Sequence, residues 1–294
     1  MSIAVIVTDR NTDLLCQQLQ AQLPEVIVQQ WPNIPSPETV QMAVLWKHPS
    51  GITDNMTALE MVVSMGAGMD HIDADKNIPD SIKRERIVTL ALQQNMAQYV
   101  LQHILSHQRH QQNYSRQQQQ KQWQVLEPDQ HTSTVGFLGL GQLGAFVADQ
   151  CVNLGFNTLA WTVRQNHSSH SCFHGEAGLK HVCQHSDYIV VLLPLNEQTE
   201  GVINSQTLSW CKKNTVLINV GRGGHVKEID LLESLSNSGI KQAILDVFDQ
   251  EPLPNDHPYW THPKITLTPH SSSRSDVIQT AHKIVSYYQQ LDIC

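Results

Sequence analysis

Three side chains in the second half of the chain have the chemistry needed to reduce a carbonyl group. Arg222, Glu251 and His270 each come shortly after an apolar run that reads as a strand. An arginine offers a planar fork of donors that fits a carboxylate. A carboxylate beside an imidazole favours the protonated ring and fixes its tautomer, which makes the histidine a good proton donor. Ligands of open α/β sheets bind at the carboxyl ends of the strands, so we expect the three side chains to share one site.

A glycine pattern, G-x-G-x-x-G, occupies residues 139–144, after an apolar run and before a helical pattern over 142–154. This context is typical of a dinucleotide-binding turn, in which the first glycine permits a tight turn and the second lets a pyrophosphate approach the backbone. The pattern predicts cofactor contacts from Gly139, Gly141, Gln142, Leu143 and Gly144.

The end of the next strand indicates which dinucleotide binds. NAD-binding domains usually have Asp or Glu about 20 residues after the glycines, where it bonds the ribose 2′-hydroxyl. Here Thr162, Val163 and Arg164 follow the strand, and no carboxylate precedes Glu176. An acid would repel a 2′-phosphate, whereas Arg164 offers it donors. We therefore expect NADPH to be preferred, with NAD as a possible alternative cofactor.

Strand and helix patterns alternate along the chain in two α/β units. Strands are expected at 4–8, 26–30, 42–46 and 61–65, and again at 135–138, 158–161, 188–193, 216–220, 243–247 and 265–268. A long helix begins near Asn95 and becomes glutamine-rich over 117–120, and a final helix covers about 275–291. This rhythm predicts two lobes, the second of them a doubly wound Rossmann domain.

Composition restricts the class of protein. The 294 residues suffice for two domains, and the net charge of −8 argues against a nucleic-acid partner. No apolar run approaches the ~18 residues of a membrane span, and no signal peptide is evident. The six cysteines lack C-x-x-C spacing. We expect a soluble cytoplasmic protein with reduced thiols and no membrane association.

Histidines offer an alternative kind of site. His103, His107 and His110 have the i, i+4, i+7 spacing that aligns metal ligands on one helix face. No acidic partner completes a familiar site, so we favour a solvated or interface role and expect no metal.

The chain resembles the D-2-hydroxyacid dehydrogenase family. The resemblance is carried by the glycine pattern, by Asn-Val-Gly-Arg222-Gly, by Asp246-Val-Phe-x-x-Glu251-Pro and by Thr-Pro-His270, in the family's order and spacing. Leu45-Trp46-Lys-His-Pro49 and Asn95-Met-Ala-Gln-Tyr99 are most similar to the glyoxylate/hydroxypyruvate reductase A branch. Ser271-Ser-Ser273, where that branch has small apolar residues, departs from the pattern.

The resemblance implies a fold, a reaction and further site residues. The substrate domain would be flavodoxin-like, formed by residues 1–95 and the helix at 273–294, with residues 96–272 as the Rossmann domain and its dimerisation helix. The reaction would be reduction of a small 2-keto acid such as glyoxylate or hydroxypyruvate by a homodimer. Ala67 and Gly68, in the turn Gly66-Ala-Gly-Met-Asp70, would hold the substrate carboxylate with Arg222, beside Trp46. Leu193, Pro194 and Asp246 would contact the cofactor.

Two alternatives stay open at this point. Some relatives act as dinucleotide-sensing corepressors, and these can retain both the fold and the catalytic set. The chain could also act on a different 2-hydroxy acid. The formate-oxidising branch pairs its histidine with glutamine, and Glu251 argues against that branch. Phosphoglycerate dehydrogenases often carry a regulatory domain, for which 294 residues leave no room.

Overall fold

The computed structural model of the chain describes residues 1–127, 132–163 and 170–291. The chain divides into two compact units, Met1–Leu92 with Arg274–Cys294, and Gln93–Ser273. The boundaries expected from sequence, 95/96 and 272/273, differ from these by a few residues.

The elements alternate between strands and helices along most of the chain. The strands are β1 (Ser2–Val7), β2 (Ile27–Gln30), β3 (Val40–Trp46), β4 (Met61–Ser64), β5 (Lys83–Arg86), β6 (Thr134–Leu138), β7 (Asn157–Trp161), β8 (Ser171–Phe173), β9 (Tyr188–Val191), β10 (Val216–Asn219), β11 (Gln242–Leu245) and β12 (Ile265–Leu267). The α-helices are α1 (Asp13–Gln22), α2 (Asp70–Asp73), α3 (Leu90–Gln108), α4 (Gln111–Gln119), α5 (Gln142–Asn153), α6 (Gly175–His185), α7 (Ser205–Trp210), α8 (Glu228–Ser236) and α9 (Val277–Tyr288).

The first unit contains a parallel sheet in the order β2-β1-β3-β4-β5. This is the flavodoxin-like strand order, and it confirms the expected fold. All six residues of β1 are buried, as befits a central parallel strand covered on both faces. The C-terminal helix α9 packs in the same apolar cluster as α1, with Ala281 and Ile284 completely buried.

The second unit contains a parallel sheet in the order β12-β11-β10-β9-β6-β7-β8. Read outward from β6, this is the doubly wound Rossmann order with one added strand, so the predicted domain type is confirmed. Strands β10, β11 and β12 are adjacent and parallel, so their carboxyl ends lie along one edge of the sheet.

The sequence patterns did not predict two of the strands and one break between helices. Strands β5 and β8 lie at sheet edges, where β5 is wholly charged and β8 only half-buried, so neither has an apolar run. The expectation of one long helix is wrong at His110, which has a φ of 55° and separates α3 from α4. The first of these two helices also begins earlier than Asn95, at Leu90.

Candidate active site

The three side chains that suggested carbonyl chemistry follow three neighbouring strands. Arg222 follows β10, Glu251 follows β11 and His270 follows β12. Because parallel strands end at the same edge, the three loops are brought to one side of the second unit. This common edge is the structural basis of the candidate site.

His270 and Glu251 form a hydrogen-bonded pair. His270 Nδ1 lies 2.9 Å from Glu251 Oε2 and 3.1 Å from Oε1. The backbone N–H of Phe248 donates to Glu251 Oε1 over 3.2 Å, which orients the carboxylate. The side chains are 35% and 24% exposed, so the imidazole is held on one side and accessible on the other. Since the carboxylate is the acceptor, Nδ1 carries a proton, and Nε2 is left for a reacting group.

Asp246 holds the loop that carries His270. Its carbonyl oxygen accepts the His270 N–H at 2.8 Å. Its carboxylate accepts the backbone N–H of Ser271 at 2.8 Å and of Ser272 at 2.9 Å. The Asp246 side chain is completely buried, and His270 has a left-handed φ of 49°. Because such a conformation costs free energy in a residue other than glycine, the surrounding hydrogen bonds must maintain it.

Tyr99 on α3 extends this network. The Thr268 hydroxyl donates to Asp246 Oδ1 over 2.5 Å and lies 2.6 Å from the Tyr99 hydroxyl, so the tyrosine donates to the threonine. Burial raises the pKa of Tyr99, which keeps its hydroxyl protonated as that donor. In the sequence, Tyr99 was notable only as the end of the motif Asn95-Met-Ala-Gln-Tyr99, and no pattern predicted this contact.

The Arg222 loop is fixed at the backbone. The Arg222 N–H donates to His225 Nδ1 over 3.0 Å, and the Arg222 carbonyl oxygen accepts a hydrogen bond from the Asn219 side-chain amide over 2.9 Å. Its guanidinium donates to the Gly221 carbonyl oxygen over 2.8 Å. A Cβ on Gly223 would lie 2.0 Å from the Phe248 carbonyl carbon, so the Arg222 and Glu251 loops touch at the backbone.

The glycines after β6 each meet a different requirement of a dinucleotide-binding turn. Gly139 has a φ of 102°, and a Cβ on it would lie 2.7 Å from the Leu192 oxygen. A Cβ on Gly144 would lie 2.3 Å from the Gly139 oxygen, so α5 packs directly on the turn. A Cβ on Gly141 meets no described protein atom within 4 Å, and this residue is the N-cap of α5. The open space at the helix N-terminus fits a pyrophosphate that approaches the backbone.

The other expected cofactor contacts lie close to this turn or outside the described residues. Gln142 is exposed and Leu143 half-buried, both in the first turn of α5. The Leu193 nitrogen would lie 2.9 Å from a Cβ on Gly139, and the Pro194 oxygen accepts the Thr199 hydroxyl. Arg164 lies outside the described residues.

In the first unit, the turn after β4 presents backbone donors. The Ser64 hydroxyl donates to the Gly68 oxygen over 2.6 Å, and Arg86 Nη1 donates to the Ala67 oxygen over 3.4 Å. Both carbonyl oxygens thus accept hydrogen bonds. The N–H groups of Ala67 and Gly68, in contrast, donate to no acceptor among the described residues. Two free N–H groups in one turn suit an anion.

Trp46 forms a wall beside this turn. A Cβ on Gly66 would lie 2.9 Å from Trp46 Cζ3, so the indole ring packs directly on the glycine. The indole N–H donates to Asp9 over 3.1 Å, and the His71 ring lies edge-on at 5.0 Å. The half-buried indole therefore has a fixed position at the end of β3.

The three histidines on the long helical segment have other partners. The His103 ring lies edge-on to Tyr99 at 4.6 Å, His107 contacts the Tyr188 hydroxyl over 2.9 Å, and His110 bonds the Glu127 oxygen over 3.0 Å. In the described ranges no group of three or more His, Cys, Asp or Glu residues could hold a metal ion. Among the same residues, no helix has the length and apolar character needed to cross a membrane.

Comparison with protein families gives one match over more than half of the chain. Residues 101–272 match the NAD-binding domain of D-isomer specific 2-hydroxyacid dehydrogenases. A glyoxylate/hydroxypyruvate reductase A from Yersinia enterocolitica is 34% identical over 259 residues, which cover 86% of this chain and 82% of that protein.

Two solved structures with the same fold contain a nicotinamide dinucleotide. A D-isomer specific 2-hydroxyacid dehydrogenase from Xanthobacter autotrophicus, in complex with NADPH and MES, superposes with a TM-score of 0.91 at 31% identity, over 98% of this chain and 94% of that one. An NADPH-dependent glyoxylate/hydroxypyruvate reductase from Sinorhizobium meliloti, in complex with NADP and sulfate, gives a TM-score of 0.86 at 28% identity, over 99% and 96%.

Proposed function

Because the chain belongs to the D-isomer specific 2-hydroxyacid dehydrogenase family, we propose that it reduces small 2-keto acids, glyoxylate and hydroxypyruvate among them, to 2-hydroxy acids with NADPH. The observation that carries the proposal is the Glu251–His270 hydrogen bond at the same sheet edge as Arg222. A pair of this kind, next to a guanidinium, can protonate a carbonyl oxygen and bind an anion at once.

Each member of the catalytic set has a defined task. When bound, NADPH supplies a hydride to the carbonyl carbon. His270 donates the Nε2 proton to the carbonyl oxygen, and Glu251 stabilises the imidazolium through Nδ1. Arg222 binds the substrate carboxylate and polarises the keto oxygen, because negative charge develops there as the hydride arrives. Hydride plus proton balance the reduction of C=O to CH–OH.

Asp246 has contacts that support a positioning role, in addition to the cofactor contact that the resemblance implies. Its carboxylate oxygens accept hydrogen bonds from Thr268, Ser271 and Ser272. We therefore assign to Asp246 the positioning of the His270 loop. The serines at 271 and 272, where the related branch has apolar residues, donate through their backbone N–H groups, which any residue except proline would provide.

We also assign the substrate carboxylate to the N–H groups of Ala67 and Gly68, with Trp46 as a wall. The preference for NADPH is supported by two observations. The described residues that follow β7, Thr162 and Val163, carry no negative charge. Structures of similar proteins hold NADPH or NADP.

The deciding experiment is a panel of 2-keto acids assayed at 340 nm with NADPH and with NADH, on the wild type and His270→Ala. We expect turnover of glyoxylate with NADPH, and a loss in kcat of ~10²–10⁴ for the variant, the range typical of general acid catalysis. A variant that kept more than about a tenth of wild-type kcat would contradict the proton-donor role. Tight NADPH binding without turnover by the wild type would favour the corepressor alternative.

We propose that the enzyme is a cytoplasmic homodimer. The side chains of α4 are exposed or half-buried, and Trp123 and Val125 beyond it are 100% and 76% exposed, which supports a partner surface there. The five cysteines in the described part of the chain are free thiols, as expected of a reducing compartment. Light scattering after gel filtration should give twice the mass of one chain, and a monomer would exclude the dimer.

A further inference from the structure

A completely buried histidine accepts a hydrogen bond from the backbone of the proposed substrate-binding arginine. His225 has 0% exposure and follows Arg222 by three residues. Its Nδ1 accepts the Arg222 backbone N–H over 3.0 Å. A nitrogen that accepts a hydrogen bond carries no proton, so His225 is a neutral imidazole with its proton on Nε2. The ring therefore has a defined tautomer and is no proton donor to substrate through Nδ1.

The imidazole is itself held on several sides. A Cβ on Gly221 would lie 2.9 Å from both Cε1 and Nδ1 of the ring, so the ring packs directly against the glycine. The His225 carbonyl oxygen accepts the N–H of Ile203 over 2.8 Å, which ties this loop to the segment before α7. Burial and packing hold the ring in one position, and its Nδ1 therefore holds the Arg222 N–H in place.

The other side of the arginine is fixed by a second buried side chain. The Asn219 amide donates to the Arg222 carbonyl oxygen over 2.9 Å, and Asn219 Oδ1 accepts the Gly221 N–H over 3.2 Å. Asn219 is 1% exposed. The peptide groups on both sides of the Arg222 Cα are thus held by buried side chains, although Arg222 lies in a loop between glycines. Such a clamp sets the direction in which the guanidinium leaves the sheet edge.

We propose that His225 is a positioning residue for Arg222, acting through the hydrogen bond that its Nδ1 accepts from the arginine backbone. The inference rests on the proposed function, in which Arg222 binds the 2-keto acid and polarises its carbonyl oxygen. A displacement of about 1 Å in a catalytic group can cost 10²-fold in rate, so the loop needs more restraint than its glycines provide. Without the acceptor, the Arg222 N–H would lose its partner and the loop would be free to shift.

Substitutions that differ in where they place an acceptor test the proposal. His225→Asn puts an amide oxygen near the position of Nδ1, whereas His225→Gln puts it one carbon further and His225→Leu removes it. We expect kcat/KM for glyoxylate to fall at least about 10-fold in the Leu and Gln variants, and to stay within about threefold of wild type in the Asn variant. The NADPH Kd should change less than twofold in all three, since His225 acts on the keto acid through Arg222. Equal losses in the Asn and Leu variants would overturn the proposal.

A double-mutant cycle with Arg222→Ala separates this inference from the proposed function. If His225 acts through the Arg222 guanidinium, His225→Leu should cost less than about threefold in the Arg222→Ala background, where no guanidinium is left to position, because coupled residues are not additive. Independent, multiplying losses would overturn the inference while leaving the proposed function intact. An Arg222→Ala single variant with wild-type kcat/KM would instead refute the proposed role of Arg222. Should His225→Leu fail to fold, Gly221→Ala, whose Cβ displaces the ring without changing it, takes its place in the cycle, with the same outcomes.

Discussion

Two glycines only three residues apart should respond to the same substitution in opposite ways. Gly141 is the N-cap residue of α5, and Gly144 lies in the first turn of that helix. An added Cβ at Gly141 meets no described protein atom within 4 Å, whereas at Gly144 it would lie 2.3 Å from the Gly139 oxygen. Gly141→Ala should therefore weaken cofactor binding and spare the fold, and Gly144→Ala should destabilise the fold.

The magnitudes follow from the local geometry. Gly141 has a φ of −76°, which alanine adopts without strain, so the lower entropy of the unfolded chain stabilises the variant by about 0.4–1 kcal/mol. Loss of a glycine N-cap offsets this by a similar amount, and the net change in stability is close to zero. Overpacking against a backbone oxygen costs Gly144→Ala about 1–3 kcal/mol, which at ~3 °C per kcal/mol lowers Tm by roughly 3–9 °C.

The assay combines thermal unfolding without cofactor and fluorescence titration with NADPH. The methyl group of Gly141→Ala would occupy the space through which the pyrophosphate approaches, and we expect the NADPH Kd to rise at least about 10-fold, or 1.4 kcal/mol. Gly155→Ala is a control for a glycine substitution remote from the turn. Alanine is strained at this position, because Gly155 has a φ of 85°. A Gly141→Ala variant that bound NADPH as tightly as wild type would refute the argument that this space receives the cofactor.

Three further outcomes are expected. Glu251→Gln should lower kcat for glyoxylate by ~10² or more at unchanged NADPH Kd, because a neutral amide stabilises the His270 imidazolium less; a steady-state comparison with wild type shows whether it does. Arg164→Ala should reduce kcat/KM with NADPH far more than with NADH, and equal losses would speak against a 2′-phosphate contact. Desolvation lowers the pKa of His48 below its ordinary 6.5, against the opposing effect of Asp75, so the unfolded chain binds the proton more readily. The contribution of His48 to stability is therefore present above pH 6.5 and decreases as the pH falls below that value. His48→Gln should make the fall in Tm between pH 7 and 5.5 less steep. An unchanged slope of Tm against pH would exclude His48 as the source of that fall.

The sequence contained enough local information to predict the fold class and the family. Central parallel strands are buried on both faces and read as continuous apolar runs, and the glycine pattern is recognisable from its spacing between a strand and a helix. The edge strands β5 and β8 escaped prediction because they bury little. The break at His110 also escaped, because a single left-handed residue leaves the surrounding helical pattern intact.

The supports of the site depended on contacts between residues far apart in the chain. The motifs singled out Arg222 and His270, but the network that holds the His270 loop joins Tyr99 to Thr268, 169 residues later. The sequence placed Tyr99 in the long helix, but helical periodicity reports which face of a helix is buried and not which hydroxyl group a side chain meets there. His225 is close to Arg222 in sequence, yet only the turn of the backbone brings its Nδ1 onto the arginine N–H. Residue types and spacing thus determined which groups could do the chemistry, and the folded chain decided which buried side chains hold them in place, because hydrogen-bond geometry is fixed by tertiary packing.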